Sequence, residues 1–309
     1  MERQGRTNVP HEPDPPSVAA TLPPRETTGA EATPTPRGLN DTRGGEDAPP
    51  SCFRLPAYAL WRREVTAFVR KKSRVVGALG TPLVFWVLIG SGLRHAVKLG
   101  GTGVGSDYMV YAFPGMIVLV VLFTAIFSMI SVIEDRRAGF MQAVLAAPVD
   151  RSAIVTGKVL GCATLAAAQG LLLLLASPWV GIPLTLTRFL GALGVLGLLS
   201  VGLSGVGFLA AWPLDSTQGF HSVMNLVLMP MWLLSGAFFP AEGAAAWIRW
   251  IMVVNPLTYG VTALQYALGV EGTRPVTSFP VALAVTAVST LVALVLASRI
   301  VGRGKGTRP

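Results

Sequence analysis

The stretch that decides the fold is Glu134-Asp135-Arg136-Arg137-Ala138-Gly139-Phe140-Met141-Gln142-Ala143-Val144-Leu145-Ala146-Ala147-Pro148-Val149-Asp150-Arg151, running on to Gly157-Lys158. It is charged and partly amphipathic, and long apolar runs flank it. Phe140, Met141, Val144 and Leu145 recur at the spacing of one face of a short helix. Pro148 ends that helix, because proline disfavours helical backbone at the preceding residue. Asp150 is placed to cap a second helix that begins at Arg151. The flanking runs reach about 20 residues, enough to cross a ~30 Å hydrocarbon core at about 1.5 Å per residue. The stretch is therefore a polar break between two membrane spans.

The composition agrees. Of 309 residues, 51% are hydrophobic and only 13% charged, against about 25% charged in a soluble domain. The chain reads as an all-α polytopic membrane protein; a transmembrane barrel would need ~10-residue alternating strands. A net charge of +9 would suggest nucleic acid in a soluble protein, but here it reflects cations gathered at the cytoplasmic ends of membrane helices. Cys52 and Cys162 have no partners that suggest a disulfide framework or a metal site.

Outward from the break, residues 1–52 form a tail rich in Pro, Thr, Glu, Arg and Gly. It is too poor in large apolar residues to offset its ordering entropy, so a disordered cytoplasmic tail is expected. Residues 53–74 suit an amphipathic interfacial helix, with Tyr58, Trp61, Val65 and Phe68 at helical spacing among Arg62, Arg63, Arg70, Lys71, Lys72 and Arg74. Spans are expected at about 75–93, 108–133, 159–177, 189–212, 220–239 and 279–300, followed by a short cytoplasmic tail, 302–309. The Gly100–Gly105 run, with Ser106 where a dinucleotide fingerprint needs glycine, is a loop; Gly205-Val206-Gly207-Phe208-Leu209-Ala210 lies inside an apolar span and signals tight helix packing. Between the fifth and sixth spans, Ala244–Val254 and Thr258–Leu268 are broken by Asn255-Pro256 and read as two re-entrant helices. With the N-terminus inside, fifteen cations fall on the inner flanks and five (Arg94, Lys98, Arg188, Arg249, Arg274) outside. That bias favours six transmembrane helices with both ends cytoplasmic.

Several chemistries have no residues to carry them. No G-x-x-x-x-G-K-[ST] occurs, so no P-loop for ATP is present, and no zinc-protease, nucleophile-elbow or Cys/His motif appears. Three histidines and sparse intramembrane carboxylates offer no proton relay or ion-coupling chain.

The ordered motifs resemble the ABC-2 type permeases, the membrane subunits of bacterial ABC exporters such as the daunorubicin-resistance permeases, whose fold is similar to that of the ABCG-type transporters. The resemblance covers most of 53–301. It rests on Pro114-Gly115 with the Glu134–Val149 stretch, on Ser216-Thr217-Gln218-Gly219-Phe220 with Leu234-Ser235-Gly236-Ala237-Phe238-Phe239-Pro240, and on Trp250 with Asn255-Pro256-Leu257-Thr258-Tyr259. Gln265 departs from the family, which often has arginine there.

The resemblance implies a plasma-membrane permease subunit of an ATP-driven exporter, working as a homodimer or heterodimer of permeases. ATP and Mg would sit on a separate ATP-binding subunit, and the chain itself would carry no cofactor, no catalytic residue and no metal. The segment 138–147 would dock on that motor, with Glu134, Asp135, Arg136, Arg137, Gly139, Phe140, Leu145 and Pro148 at the coupling site. Ser235, Gly236, Phe238, Phe239, Pro240, Asn255, Pro256 and Tyr259 would form the outer gate and its re-entrant support. Phe123, Phe127, Met224, Asn225 and Trp232 are the candidates for a substrate path. The expected substrate is hydrophobic or amphipathic, drug-like or lipid-linked. Polysaccharide or lipid-glycan export, a non-transporting scaffold or sensor, and a membrane-embedded enzyme acting on lipids are the alternatives. No nucleic acid is expected.

Overall fold

A computed structural model of the chain describes residues 53–70, 108–147, 149–241, 244–270 and 277–303, with Gly80, Val84 and Leu88 between them. The expected tail, Pro148, the last six residues and nearly all of the 75–93 span lie outside the described residues; Gly80, Val84 and Leu88 within that span are helical.

Among the described residues every regular element is helical. They are α1 (Arg54–Arg70), α2 (Tyr108–Ser128), α3 (Ile130–Arg137), α4 (Phe140–Ala146), α5 (Arg151–Leu175), α6 (Leu186–Ala211), α7 (Thr217–Trp232), α8 (Ala246–Val254), α9 (Pro256–Leu268) and α10 (Phe279–Arg303). A 3-10 turn, Ser177–Val180, follows α5, and a π turn, Leu233–Ala237, follows α7. Five segments are long and apolar enough to cross a bilayer: Tyr108–Arg137, Arg151–Leu175, Leu186–Ala211, Thr217–Ala237 and Phe279–Gly302. They match the second to sixth expected spans.

The boundaries moved for local reasons. The helix of the second span runs on past Ile133, so Glu134–Arg137 form its last turn and not a loop. α5 starts at Arg151, as expected, and runs without a break into the apolar span placed at 159–177. Thr185 starts α6 by accepting the Arg188 N–H at 3.4 Å, and Ser216 starts α7 by accepting the Gly219 N–H at 3.1 Å. Such side chains satisfy amides that have no partner within the helix. Asp150 occupies the cap position of α5 in extended backbone, but its side chain takes no cap hydrogen bond; the Ala153 N–H bonds the Asp150 carbonyl instead, at 2.9 Å.

α2 is the centre of the bundle. Ile117, Val118, Val120, Val121 and Leu122 are fully buried, as befits a helix that is apolar all round. α5, α6, α7 and α9 pack around it. Close approach depends on small residues. A Cβ on Gly170 of α5 would lie 2.8 Å from Val121 of α2, and one on Gly207 of α6 would lie 3.0 Å from the Ile126 backbone. Gly202 and Gly205, on another side of α6, receive Thr290 and Ala293 of α10. The glycine run thus lets two helices reach α6, as small residues do within membranes.

α1 lies along the start of α5. The row it buries against the protein is Leu60, Glu64 and Phe68; of the stripe expected at the membrane interface, Phe68 belongs to that row and Tyr58 is exposed. Gly157 and Gly161 of α5 form the seat: Cβ atoms there would fall 2.7 Å from the Ala57 carbonyl oxygen and 2.7 Å from the Glu64 Cβ.

Candidate functional site

The seat of α1 places a charge inside the protein. Lys158 lies between the two glycines, so its side chain emerges beneath α1 and is fully buried. A buried ammonium needs compensating charge. Lys158 Nζ donates to Glu64 Oε1 of α1 and to Asp135 Oδ2 of α3, with Ser131 Oγ at 3.4 Å. Arg63 completes the set by a two-pronged bond to Asp135, Nη1 to Oδ2 at 2.7 Å and Nη2 to Oδ1 at 2.5 Å. Hydrogen bonding to Asp135 raises the Arg63 pKa above its ordinary value, against the desolvation that lowers it. Two cations and two carboxylates therefore balance, and they tie α1, α3 and α5 into one unit.

Arg63 also reaches the expected coupling helix. Its guanidinium carbon lies 4.0 Å from the Phe140 ring centroid, at the first residue of α4. Gly139, with φ +73°, makes the corner between α3 and α4, a conformation that costs other residues about 1–2 kcal/mol. Met141 is buried beneath α4 while Gln142, Ala143, Leu145, Ala146 and Ala147 are exposed. The expected face of Phe140, Met141, Val144 and Leu145 is therefore split: the first three turn toward the bundle and Leu145 projects outward.

Neighbouring charges on α3 point opposite ways. Glu134 is exposed. Asp135, expected to meet a partner protein, is buried in the Arg63–Lys158 cluster and is not available for one. Arg136 donates to the Trp212 carbonyl and, at 2.9 Å, to Asp215 Oδ1; Arg137 donates to the Asp215 carbonyl at 2.7 Å. Both arginines thus engage the turn between α6 and α7. A groove of about 400 Å³ lies between α4 and this turn, lined by the apolar Ile133, Met141 and Trp212 and edged by Leu145, Arg136 and Asp215. Arg151 also donates to the Val301 and Gly302 carbonyls at the end of α10, at 2.9 and 3.0 Å. Pro148 lies outside the described residues.

The expected gate residues gather at the opposite end. After Trp232, α7 gives way to the π turn, where Gly236 has φ +79°. A broken helix within a bilayer exposes carbonyls that must be satisfied by protein. Tyr108 Oη donates to Phe238 O at 2.9 Å, Tyr111 Oη to Gly236 O at 2.6 Å, and Asn255 Nδ2 to Met231 O at 2.6 Å and Leu234 O at 3.3 Å. Asn255 also accepts the Leu257 N–H at 3.0 Å, capping α9 ahead of Pro256 at its first position. Ser235 is buried and donates to Trp232 O at 2.6 Å, and Tyr259 Oη donates to Val253 O at 2.7 Å. Phe238, Phe239 and Pro240 are half-buried.

The substrate-path candidates do not converge within one chain. The Phe123 and Phe127 rings lie tilted to each other at 5.3 Å, and the Phe127 ring meets Phe220 and His221 at 6.4 and 4.7 Å. Met224 and Trp232 are on the buried face of α7, where Trp232 Nε1 donates to Gly115 O at 2.8 Å. Asn225 is on its exposed face. Sequence reasoning read Lys158 as the end of the polar break and so missed its pairing with Glu64. The signal was there: a lysine flanked by the Gly157-x-x-x-Gly161 pair must project onto whatever helix those glycines admit.

A family model for ABC-2 type transporters matches residues 57–268. The chain belongs to the ABC-2 type transporter family. Nodulation protein J of Rhizobium leguminosarum bv. viciae is 26% identical over 210 residues, covering 67% of this chain and 80% of that protein. A protein of Cyanophora paradoxa named as a transport permease, ycf38, is 23% identical over 211 residues, covering 68% and 72%. YbhR of Escherichia coli strain K12, named as a multidrug ABC transporter permease, is 30% identical over 160 residues, covering 50% and 42%. The ABC-2 family chain is thus an all-helical, multi-pass membrane transport permease.

Proposed function

We propose that this permease is the membrane subunit of an ATP-driven exporter in the plasma membrane, with both termini cytoplasmic. Two permease copies and two ATP-binding subunits make the working unit. ATP and Mg bind to the motor subunits, and the cargo is a hydrophobic or amphipathic molecule. The observation that carries this reading is the arrangement of α4. An exposed helix stands on a glycine corner, joined by Arg63 and Asp135 to α1 and α5 and by Arg136 and Arg137 to the start of α7.

A push on α4 by the closing motor dimer would move α3 as a lever. The buried Lys158 cluster would carry that motion to α1 and α5, and the Asp215 contacts would carry it to α7. A tilt of α7 would shift the carbonyls held by Tyr108, Tyr111 and Asn255 and open the outer end. Inverted vesicles containing both chains should accumulate an amphipathic fluorescent dye only when ATP is present. ATP hydrolysis by the purified permease alone would overturn the separate motor.

A further inference from the structure

α8 is a thinly covered helix. Of its nine residues, Ala246–Val254, only Met252 is buried. Trp247, Trp250 and Val254 are 63%, 73% and 77% exposed. Among the described elements it touches only the π turn and α9 to any extent. At about 1.5 Å per residue it is ~14 Å long, too short to cross a ~30 Å core. Such a helix must lie along a surface that accepts aromatic and aliphatic groups.

Its three sides have different chemistry. At about 100° per residue, Trp247, Trp250, Ile251 and Val254 share one side and Ile248 and Met252 face the protein. Arg249, its only charge, points roughly 100–160° away from the Trp–Val stripe. This is the division needed by a helix at a bilayer interface, where tryptophan prefers the headgroup boundary and arginine the phosphates above it. The same end of the bundle carries Trp179, 91% exposed, in the turn after α5.

The described carboxylates, Glu64, Glu134, Asp135, Asp150 and Asp215, belong to the α1, α3–α5 and α6–α7 end. Among the described residues the α8 end has the cations Arg188 and Arg249; Asp107, Glu242 and Glu271, which adjoin α2, α8 and α9 in sequence, lie outside the described residues.

We infer that α8 is a phospholipid seat. Arg249 binds the phosphodiester of a phospholipid headgroup in the outer leaflet, and Trp247, Trp250 and Val254 enter the acyl boundary beneath it. The seat bears on the gate, because α8 leads directly into Asn255, whose amide holds the carbonyls of Met231 and Leu234. Movement of α8 in the leaflet is carried to the break in α7 by that residue. The proposal concerns a lipid contact and does not require the motor subunit.

The test uses the full chain with Cys52→Ser and Cys162→Ala, a nitroxide at Val254→Cys, and liposomes of phosphatidylglycerol and phosphatidylcholine. The label should be reached by oxygen and shielded from a water-soluble nickel relaxant, at a depth of about 5–10 Å below the phosphates. Free access to the nickel reagent, or shielding from both reagents as a second protein copy would give, overturns the seat. Native mass spectrometry in phosphatidylglycerol supplies the second arm. Arg249→Gln should lose one bound lipid per chain and Arg249→Lys should keep it. Equal lipid counts for wild type and Arg249→Gln also overturn the proposal.

Discussion

Replacing Lys158 by methionine should be among the most damaging single changes in the protein. Lys158 is fully buried and bonds both Glu64 and Asp135. Without it, two carboxylates share one cation, and Arg63 is half exposed to solvent. Asp135 keeps its two-pronged bond to Arg63, but Glu64 is left with Arg63 Nη1 at 3.7 Å. Removing one member of a buried ion pair costs about 3–5 kcal/mol, because the remaining charge is stranded. At roughly 2–4 °C per kcal/mol for a domain of this size, the midpoint of thermal unfolding should fall by about 6 °C or more. The double variant Glu64→Met/Lys158→Met removes one charge of each sign and leaves Arg63–Asp135 intact. An apolar replacement of a whole buried pair is often close to neutral, so the double variant should be more stable than Lys158→Met alone. The coupling should reach about 2 kcal/mol. Tryptophan-fluorescence melts of the four proteins in one nanodisc preparation give the cycle. A loss under about 1 kcal/mol for Lys158→Met, or single effects that simply add, would refute the view that these charges form one buried network.

Other outcomes follow from the same contacts. Gly161→Leu should force α1 off its seat and lower stability by about 1–3 kcal/mol, with faster proteolysis after Arg62 or Arg63 as the readout. Asn255→Ala strands the Met231 carbonyl and the first amides of α9, and melting should show a loss of about 1–3 kcal/mol. Asp215 is 85% exposed in its pair with Arg136, so Asp215→Asn should change the melting midpoint little. Its effect should appear instead as reduced coupling of ATP turnover to dye accumulation.

Much of this layout can be read from residues. Apolar runs set the spans within a few positions, and Asn255-Pro256 separates α8 from α9 because the asparagine side chain caps the helix that the proline begins. Pairing was harder to read. Asp135 and Arg136 look alike as loop charges, yet one helical step sends the first toward Lys158 and the second toward Asp215. That divergence depends on where α1 and α7 lie, and hydropathy does not encode it. The substrate path was least legible, because Met224, Asn225 and Trp232 share one apolar helix whose facing is decided by its partners. Phe220, Met224, Leu228 and Trp232 recur every fourth residue and form the buried row, so Asn225 is directed outward.

If the motor acts on α4, Leu145→Asp should uncouple it. Leu145 projects from the exposed side of α4, next to the groove, with little role in the core. The complex with the ATP-binding subunit should be assembled in nanodiscs, and its affinity and stimulated ATP turnover measured for wild type and variant at matched melting midpoints. The permease fold should be unchanged, motor binding weakened at least tenfold and stimulated turnover lost. Wild-type affinity and turnover in the variant would contradict motor action on α4 and place the motor elsewhere on the permease.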